Sequence, residues 1–254
     1  MFFGPNNSII IPFDYQAPVS FEKFEDQVQA VGEHYRFAKI SEVVKRLQQR
    51  KRQGLAAIVF ENPRKGVLLH AVPVLISLNI PFTIFIDPDY VGLNRLPPEE
   101  ELKAYHSAYS EKLGLLEVTQ WVEKARVYPA ETDRFLKECR KILGPLPLNQ
   151  MDPLQFFTTW GKLTELSPEL VEFGMRLSHQ VSSLAELEEK MRFTALQLKT
   201  KLTLFRAHPV GLSQSEQTIL LQTGIESVLG NEVSEVTKKS TLLNLPVWKL
   251  ISET

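Results

Sequence analysis

The chain has 254 residues, of which 43% are hydrophobic and 23% are charged, and its formal net charge is −1. This balance excludes a mainly disordered chain, because the apolar content is high and the net charge is small. The 29 basic residues against 30 acidic ones leave no positive excess for binding nucleic acid. A single cysteine, Cys139, excludes an internal disulfide framework and a cysteine-rich zinc module.

The sequence contains no apolar run of about 18 residues, the length that a membrane-spanning helix needs. The longest candidate, 67–86, is interrupted by His70, Asn79 and two prolines. The first residues carry no basic region and no small-residue cleavage site of the kind found in secretory leaders. We therefore expect a cytoplasmic protein without a membrane span.

The first half of the chain alternates strand and helix. Short apolar runs predict strands at 8–11 and 35–40, and helices are predicted to begin at Ser20 and Ser41.

Two further strands, at 55–60 and 81–86, are continuously apolar, which is typical of strands buried on both faces of a parallel sheet. A polar loop, 61–66, and a helix, 67–78, lie between them. This order of strand, helix and strand predicts a crossover unit with parallel strands.

Residues 94–158 differ from the rest, since amphipathic patterns replace the strands. They predict helices at about 99–110, 117–126 and 130–143. We interpret the segment as an all-helical insertion, and one that could form an oligomer interface.

The alternation resumes after the insertion. The pattern predicts a helix that starts at Ser167, with Pro168 in its first turn, and ends at Gly174. The segments predicted beyond it are a strand at 176–180, a helix at 183–202, a strand at 203–207, a helix at 213–222 and apolar runs at 224–229 and 242–248.

Several of these segments carry motifs that occur in the same order in one family of enzymes. They lie at 57–64, 79–86, 90–92, 160–166, 173–183, 204–211 and 222–225. Together they resemble the NodB-homology polysaccharide deacetylases, carbohydrate esterase family four. The resemblance covers nearly all of the chain outside 94–158. It implies a single α/β domain over 1–254, a distorted (β/α) barrel of the polysaccharide deacetylase type with an all-α insertion.

The resemblance also implies a chemistry, in which a divalent metal polarises an acetyl carbonyl and activates water. In that family the first Asp of an Asp-Asp pair is the general base. The second Asp and two histidines of a His-x-x-x-His motif hold the metal. Here Glu61 stands at the base position, Asn62 at the metal-binding Asp, His179 at the first histidine and Ser183 at the second.

These replacements predict a weakened metal site, because a neutral amide oxygen is a poorer ligand than a carboxylate. Pro63 and Arg64 replace the Gly and Tyr of the loop, and Arg64 adds a positive charge that opposes a dication. Asp87 or Asp89, after the next strand, would be the source of a substitute carboxylate.

The third motif allows two alignments. Arg206 matches an arginine that some members use to orient the catalytic Asp, or His208 matches the motif's Tyr. The predicted catalytic residues are Glu61, His179, Arg206 and His208. The predicted substrate-binding residues are Asn62, Arg64 and Pro209. We predict no metal site and no cofactor; a divalent metal such as zinc is expected only if the site is active.

Three functions remain open. The first is a deacetylase-like barrel of surface or exopolysaccharide metabolism that has lost metal-dependent catalysis and binds an acetylated glycan or a partner. The second is an active carbohydrate deacetylase that uses Glu61 as base with altered or absent metal. The third is a structural protein in which 94–158 forms the oligomer interface.

Overall fold

The computed structural model describes residues 7–13, 21–51, 54–109, 129–146, 148, 151–178, 183–207 and 212–247. One eight-stranded sheet organises this part of the chain. Its strands are β1 (Ile9–Phe13), β2 (Arg36–Phe37), β3 (Leu55–Phe60), β4 (Phe82–Ile86), β5 (Val171–Arg176), β6 (Leu204–Arg206), β7 (Ser227–Val233) and β8 (Leu245–Val247).

Helices connect most of the strands. They are α1 (Phe21–Gly32), α2 (Ile40–Gln48), α3 (Val72–Ser77), α4 (Pro98–Tyr109), α5 (Pro129–Leu143), α6 (Trp160–Thr164), α7 (Leu184–Leu198) and α8 (Gln214–Gln222). A π-helical turn, Val67–Ala71, leads into α3, and Pro153–Gln155 forms a 3₁₀ turn. No helix in these described ranges is long and apolar enough to cross a membrane.

The sheet is almost closed into a barrel. Its strands pair in the order β1-β3-β4-β5-β6-β7-β8, with β2 added beside β3, and every strand pair is parallel. The sheet is joined across its ends by Ser8, just before β1, and Val236, between β7 and β8, which exchange backbone hydrogen bonds of 3.1 and 2.7 Å. The predicted distorted (β/α) barrel is therefore confirmed.

The core explains why the central strands are so apolar. Every residue of β3 and β4 is buried. Successive residues of β3 enter two different apolar clusters, with Ile58 in one and Val59 in the other. The buried face of α2 joins the second cluster, so this helix covers one of the two faces that the strands present.

The chain around β5 corrects one prediction. Residues 167–170 form a turn rather than a helix, and Gly174 lies inside the strand instead of ending a helix. A Cβ on Gly174 would lie 2.4 Å from Cε1 of Phe85 on the neighbouring strand. Glycine is needed here because the buried ring of Phe85 approaches the backbone. The helix that precedes β5 in the chain is α6, which is capped by Thr159.

Two helices of the insertion, α4 and α5, pack on each other, and the 3₁₀ turn Pro153–Gln155 follows them in the chain. Buried side chains of α4 and α5 form a separate cluster of Leu102, Tyr105, Leu136 and Cys139. The hydroxyl of Tyr105 donates to the carbonyl of Gly144 at 2.8 Å, just beyond α5. The helices predicted at 99–110 and 130–143 are confirmed, whereas 117–126 lies outside the described residues.

Candidate functional site

The carboxyl ends of three parallel strands bring one carboxylate and two guanidinium groups together. Glu61 follows β3, Arg176 is the last residue of β5 and Arg206 is the last residue of β6. Oε1 of Glu61 accepts hydrogen bonds from Nε of Arg206 at 2.9 Å and from its Nη2 at 2.8 Å. Oε2 of Glu61 lies 3.3 Å from Nη1 of Arg176. Two arginines therefore hold both oxygens of the predicted base.

Arg206 also makes hydrogen bonds to the backbone of the neighbouring strand. Its Nη1 donates to the backbone carbonyls of Leu229, at 3.3 Å, and of Gly230. Both carbonyls belong to β7, so one side chain ties the end of β3 to the end of β6 and to the adjacent strand. This contact brings together Glu61 and Arg206, two of the predicted site residues.

Arg176 is not among the predicted site residues. The sequence places it at the start of a strand, whereas the structure places it at the end of one, on the same edge of the sheet as Glu61. The alternating apolar residues Val171, Phe173 and Met175 are the signal that would have located β5 correctly.

Asn62 lies next to the cluster and is 9% exposed. Its side-chain oxygen is buried and accepts no hydrogen bond from any described residue. A buried acceptor without a donor costs on the order of 1 to 3 kcal/mol. No contact with Glu61, Arg176 or Arg206 compensates for that cost within the described ranges.

Arg64 points away from the cluster, toward the helical insertion. It is 4% exposed, and its guanidinium pairs with Glu100 of α4 and donates to the carbonyl of Gln155. The ring of Phe157 lies below it, with the guanidinium carbon 5.5 Å from the ring centroid. Arg64 therefore does not supply the positive charge that was expected of it beside Glu61; it anchors the loop, and the guanidinium groups beside Glu61 are those of Arg176 and Arg206.

Backbone hydrogen bonds fix the same loop. The N–H of Thr158 donates to the carbonyl of Pro63 at 2.7 Å, and the N–H of Lys65 donates to Phe156 at 2.9 Å. The chain returning from the insertion thus forms one wall of the loop that carries Glu61 and Asn62.

The two aspartates after β4 are engaged elsewhere. Asp87 is fully buried and accepts backbone hydrogen bonds from Ser178 at 2.7 Å and Asp89 at 3.1 Å. Burial raises the pKa of Asp87 above its ordinary value, although these two hydrogen bonds oppose the shift. Asp89 pairs with Lys190 of α7. Both carboxylates hold the loop after β4 in place, and neither contacts Glu61.

His179, His208 and Pro209 lie outside the described residues, so their predicted roles stay predictions. Ser183, at the place of the second metal-binding histidine, is the N-cap of α7 and accepts from the N–H of Glu186 at 3.2 Å. This hydroxyl is committed to the helix end, as is usual for serine at an N-cap.

The described residues do not fit a catalytic dication. In the ranges that the structure describes, no three His, Cys, Asp or Glu side chains are grouped as metal ligands. Glu61 already faces two cations, Asn62 offers a neutral oxygen and Ser183 caps a helix. Two guanidinium groups beside the carboxylate would repel a metal ion that approached it.

Comparison with known proteins agrees with this architecture. No protein-family model matches the chain, and no curated protein matches its sequence. Solved structures do match over nearly all of it. IcaB from Ammonifex degensii is 14% identical with a TM-score of 0.63, covering 97% of this chain and 93% of its own.

The deacetylase PplD from Streptococcus pyogenes is 11% identical with a TM-score of 0.62, covering 97% of this chain and 93% of its own. A polysaccharide deacetylase from Bacillus cereus is 10% identical with a TM-score of 0.57, covering 96% of this chain and 64% of its own. The resemblance expected from the sequence is therefore confirmed at the level of the fold, and the fold alone is what such low identities show.

Proposed function

We propose that this barrel binds an acetylated glycan of surface or exopolysaccharide metabolism. We propose also that it lacks metal-dependent hydrolysis. The observation that carries the proposal is the ion-pair cluster at the strand ends. Glu61 has both oxygens against guanidinium groups, with side-chain exposures of 21% for Glu61, 16% for Arg176 and 10% for Arg206. Partly buried charges interact strongly because water screens them little, so a dication would be disfavoured there.

Two further features support the proposal. Asn62 and Ser183 replace two ligands that the resemblance implies, and the hydroxyl of Ser183 is already used as a helix cap. Solved structures with this fold include a polysaccharide deacetylase, which supports a glycan as the class of ligand. In (β/α) barrels, ligands are bound at the carboxyl ends of the strands, where Glu61 and both arginines lie.

The proposal is tested by metal retention and glycan binding on the same preparation. The protein is incubated with zinc, cobalt or nickel, desalted and assayed for bound metal, and its binding to partly acetylated chitin oligosaccharides is measured by calorimetry. We expect far less than one metal per chain together with measurable glycan binding. One tightly held metal per chain with release of acetate would contradict the proposal.

A matched variant sharpens the metal measurement. Asn62→Asp restores a carboxylate at the position of the metal-binding Asp without disturbing the cap of α7. We expect little gain in retained metal, because Arg176 and Arg206 remain beside Glu61. A gain to one metal per chain would show that the amide alone accounts for the loss.

A second candidate, an active deacetylase with Glu61 as base, is favoured by the contact between Arg206 and Glu61. One of the two alignments of the third motif makes Arg206 an arginine that orients the base, and in the structure its Nε and Nη2 both lie within hydrogen-bond distance of Oε1 of Glu61. In this mechanism Glu61 takes a proton from the water that attacks the acetyl carbonyl.

This second candidate predicts acetate release from acetylated oligosaccharides that Glu61→Gln lowers by at least about 100-fold. Glu165→Gln is the control, since Glu165 is 64% exposed and pairs only with Lys162 among the described residues. The absence of acetate release by the wild-type protein would rule out this candidate.

A further inference from the structure

The two arginines at the strand ends differ in how fully their donors are used. Arg206 uses four of its five N–H groups: Nε and Nη2 donate to Glu61, and Nη1 donates to two carbonyls of β7. Its side chain is only 10% exposed. Arg206 therefore holds the barrel and Glu61 together and keeps a single N–H group, on Nη2, without a partner among the described residues.

Only one nitrogen of Arg176, Nη1, makes polar contacts with the described residues. Its Nη1 lies 3.3 Å from Oε2 of Glu61 and 3.4 Å from the carbonyl oxygen of Glu61, both long contacts. Nε and Nη2 donate to no residue in the described ranges, and the side chain is 16% exposed. Arg176 thus presents unused N–H groups next to a carboxylate that Arg206 already satisfies.

The neighbouring carboxyl group does not take up these donors. Both oxygens of Asp87 accept backbone N–H groups, from Ser178 and Asp89, and Asp87 makes no ion pair with Arg176. At the contact itself, two guanidinium groups face the single carboxylate of Glu61. The charge of Asp87 also interacts with Arg176, but Asp87 is fully buried, so a ligand at the cluster meets the unused N–H groups of Arg176 and not this carboxyl group.

We propose that Arg176 binds the carboxylate of an acidic sugar, so that the glycan recognised by this barrel contains uronic acid residues. This inference rests on the proposed glycan-binding function and names the class of glycan. A guanidinium presents its N–H groups as a planar fork that matches a carboxylate.

The test compares three probes by calorimetry: a hyaluronan tetrasaccharide, a galacturonic acid tetrasaccharide and chitotetraose. Hyaluronan and chitotetraose both carry N-acetyl groups, but only hyaluronan has carboxylates. We expect at least one acidic probe to bind at least tenfold more tightly than chitotetraose. Arg176→Gln should reduce that affinity at least tenfold, because it removes a charge-assisted contact.

Two control variants separate binding from structure. Arg192→Gln removes the same charge from an exposed residue of α7 and should leave all three affinities unchanged. Arg176→Lys keeps the charge but not the fork, and should recover only part of the lost affinity. The far-ultraviolet circular dichroism spectrum of Arg176→Gln should equal that of the wild type, which shows that the variant remains folded.

The outcomes distinguish the inference from the function on which it rests. If chitotetraose binds as tightly as both acidic probes, or if Arg176→Gln binds the acidic probe unchanged, the role of Arg176 is wrong while glycan binding stands. If none of the three probes binds, the proposed glycan-binding function is itself overturned.

Discussion

Replacing Arg206 by methionine removes the guanidinium and keeps an unbranched apolar side chain in place of its methylene groups. Glu61 then loses its contacts at 2.9 and 2.8 Å and retains only the long contact to Arg176. Gly230 loses a donor to its carbonyl, whereas the carbonyl of Leu229 still accepts the N–H of Ala207 at 2.9 Å.

The expected cost follows from the burial of the pair. Breaking a buried ion pair by removing one partner costs about 3 to 5 kcal/mol, because the other charge stays behind. Glu61 is 21% exposed, so water solvates part of the abandoned charge. We therefore expect Arg206→Met to lower the free energy of unfolding by about 3 kcal/mol, the lower end of that range.

A double-mutant cycle in urea measures the pair itself. Glu61→Gln leaves two guanidinium groups without their carboxylate and should also cost about 3 kcal/mol. The double variant strands only Arg176 and should cost about 4 kcal/mol, which gives a coupling energy of about 2 kcal/mol.

The exposed pair of Lys162 and Glu165 is the control for this cycle. Its contact is 2.8 Å long, and the two side chains are 63% and 64% exposed. Its coupling energy should stay below about 1 kcal/mol. If the free energies at Arg206 and Glu61 add to within about 0.5 kcal/mol, the contact does not hold the site together and the reasoning fails.

Three further predictions concern stability. Gly174→Ala should cost about 2 to 3 kcal/mol, since its Cβ would lie 2.4 Å from Phe85; an unchanged urea midpoint would show that the ring moves freely. Tyr105→Phe removes the 2.8 Å hydrogen bond to Gly144, and urea unfolding should show a loss of about 1 kcal/mol; no loss would mean that water replaces the bond. Asp87→Asn should cost about 1 to 3 kcal/mol, because its amide turns a donor toward a backbone N–H. Because burial raises the pKa of Asp87 above 3.8, its contribution to stability is present below pH 3.8 and is lost as the pH rises through the folded-state pKa. The deficit of Asp87→Asn should therefore shrink as the pH rises above about 4, and a deficit that grows would refute the sign.

The central strands of the fold could be predicted from the sequence because both of their faces are buried. Every residue of β3 and β4 is buried, so their sequences are continuously apolar. In β5 the half-buried Glu172 breaks this pattern, and Gly174 resembles the end of a helix. The need for glycine there comes from the ring of Phe85, which is distant in sequence and therefore leaves no local signal.

The site residues also divide into those that the sequence predicts and those that it does not. Glu61 and Arg206 could be predicted because each follows or ends an apolar strand and matches a motif. Arg176 is placed by the sequence at the start of a strand, because Pro168 and Gly174 favour a helix over 167–174 and hide the apolar alternation of β5. The pairing of Arg64 with Glu100 depends on how the insertion folds back, which no spacing encodes. The boundaries 94–158, an oligomer interface there and the cytoplasmic location stay predictions.

The contacts of Arg64 with Glu100 and Gln155 set an order of events during synthesis. Arg64 leaves the ribosome 36 residues before Glu100 and 91 residues before Gln155, its two acceptors. At translation rates of about 5 to 20 residues per second, this guanidinium waits several seconds or longer for the second of them. The loop that carries Glu61 therefore reaches its final shape only after the insertion has been made. A nascent chain that stalls before residue 155 would hold β3 and β4 but not a finished site.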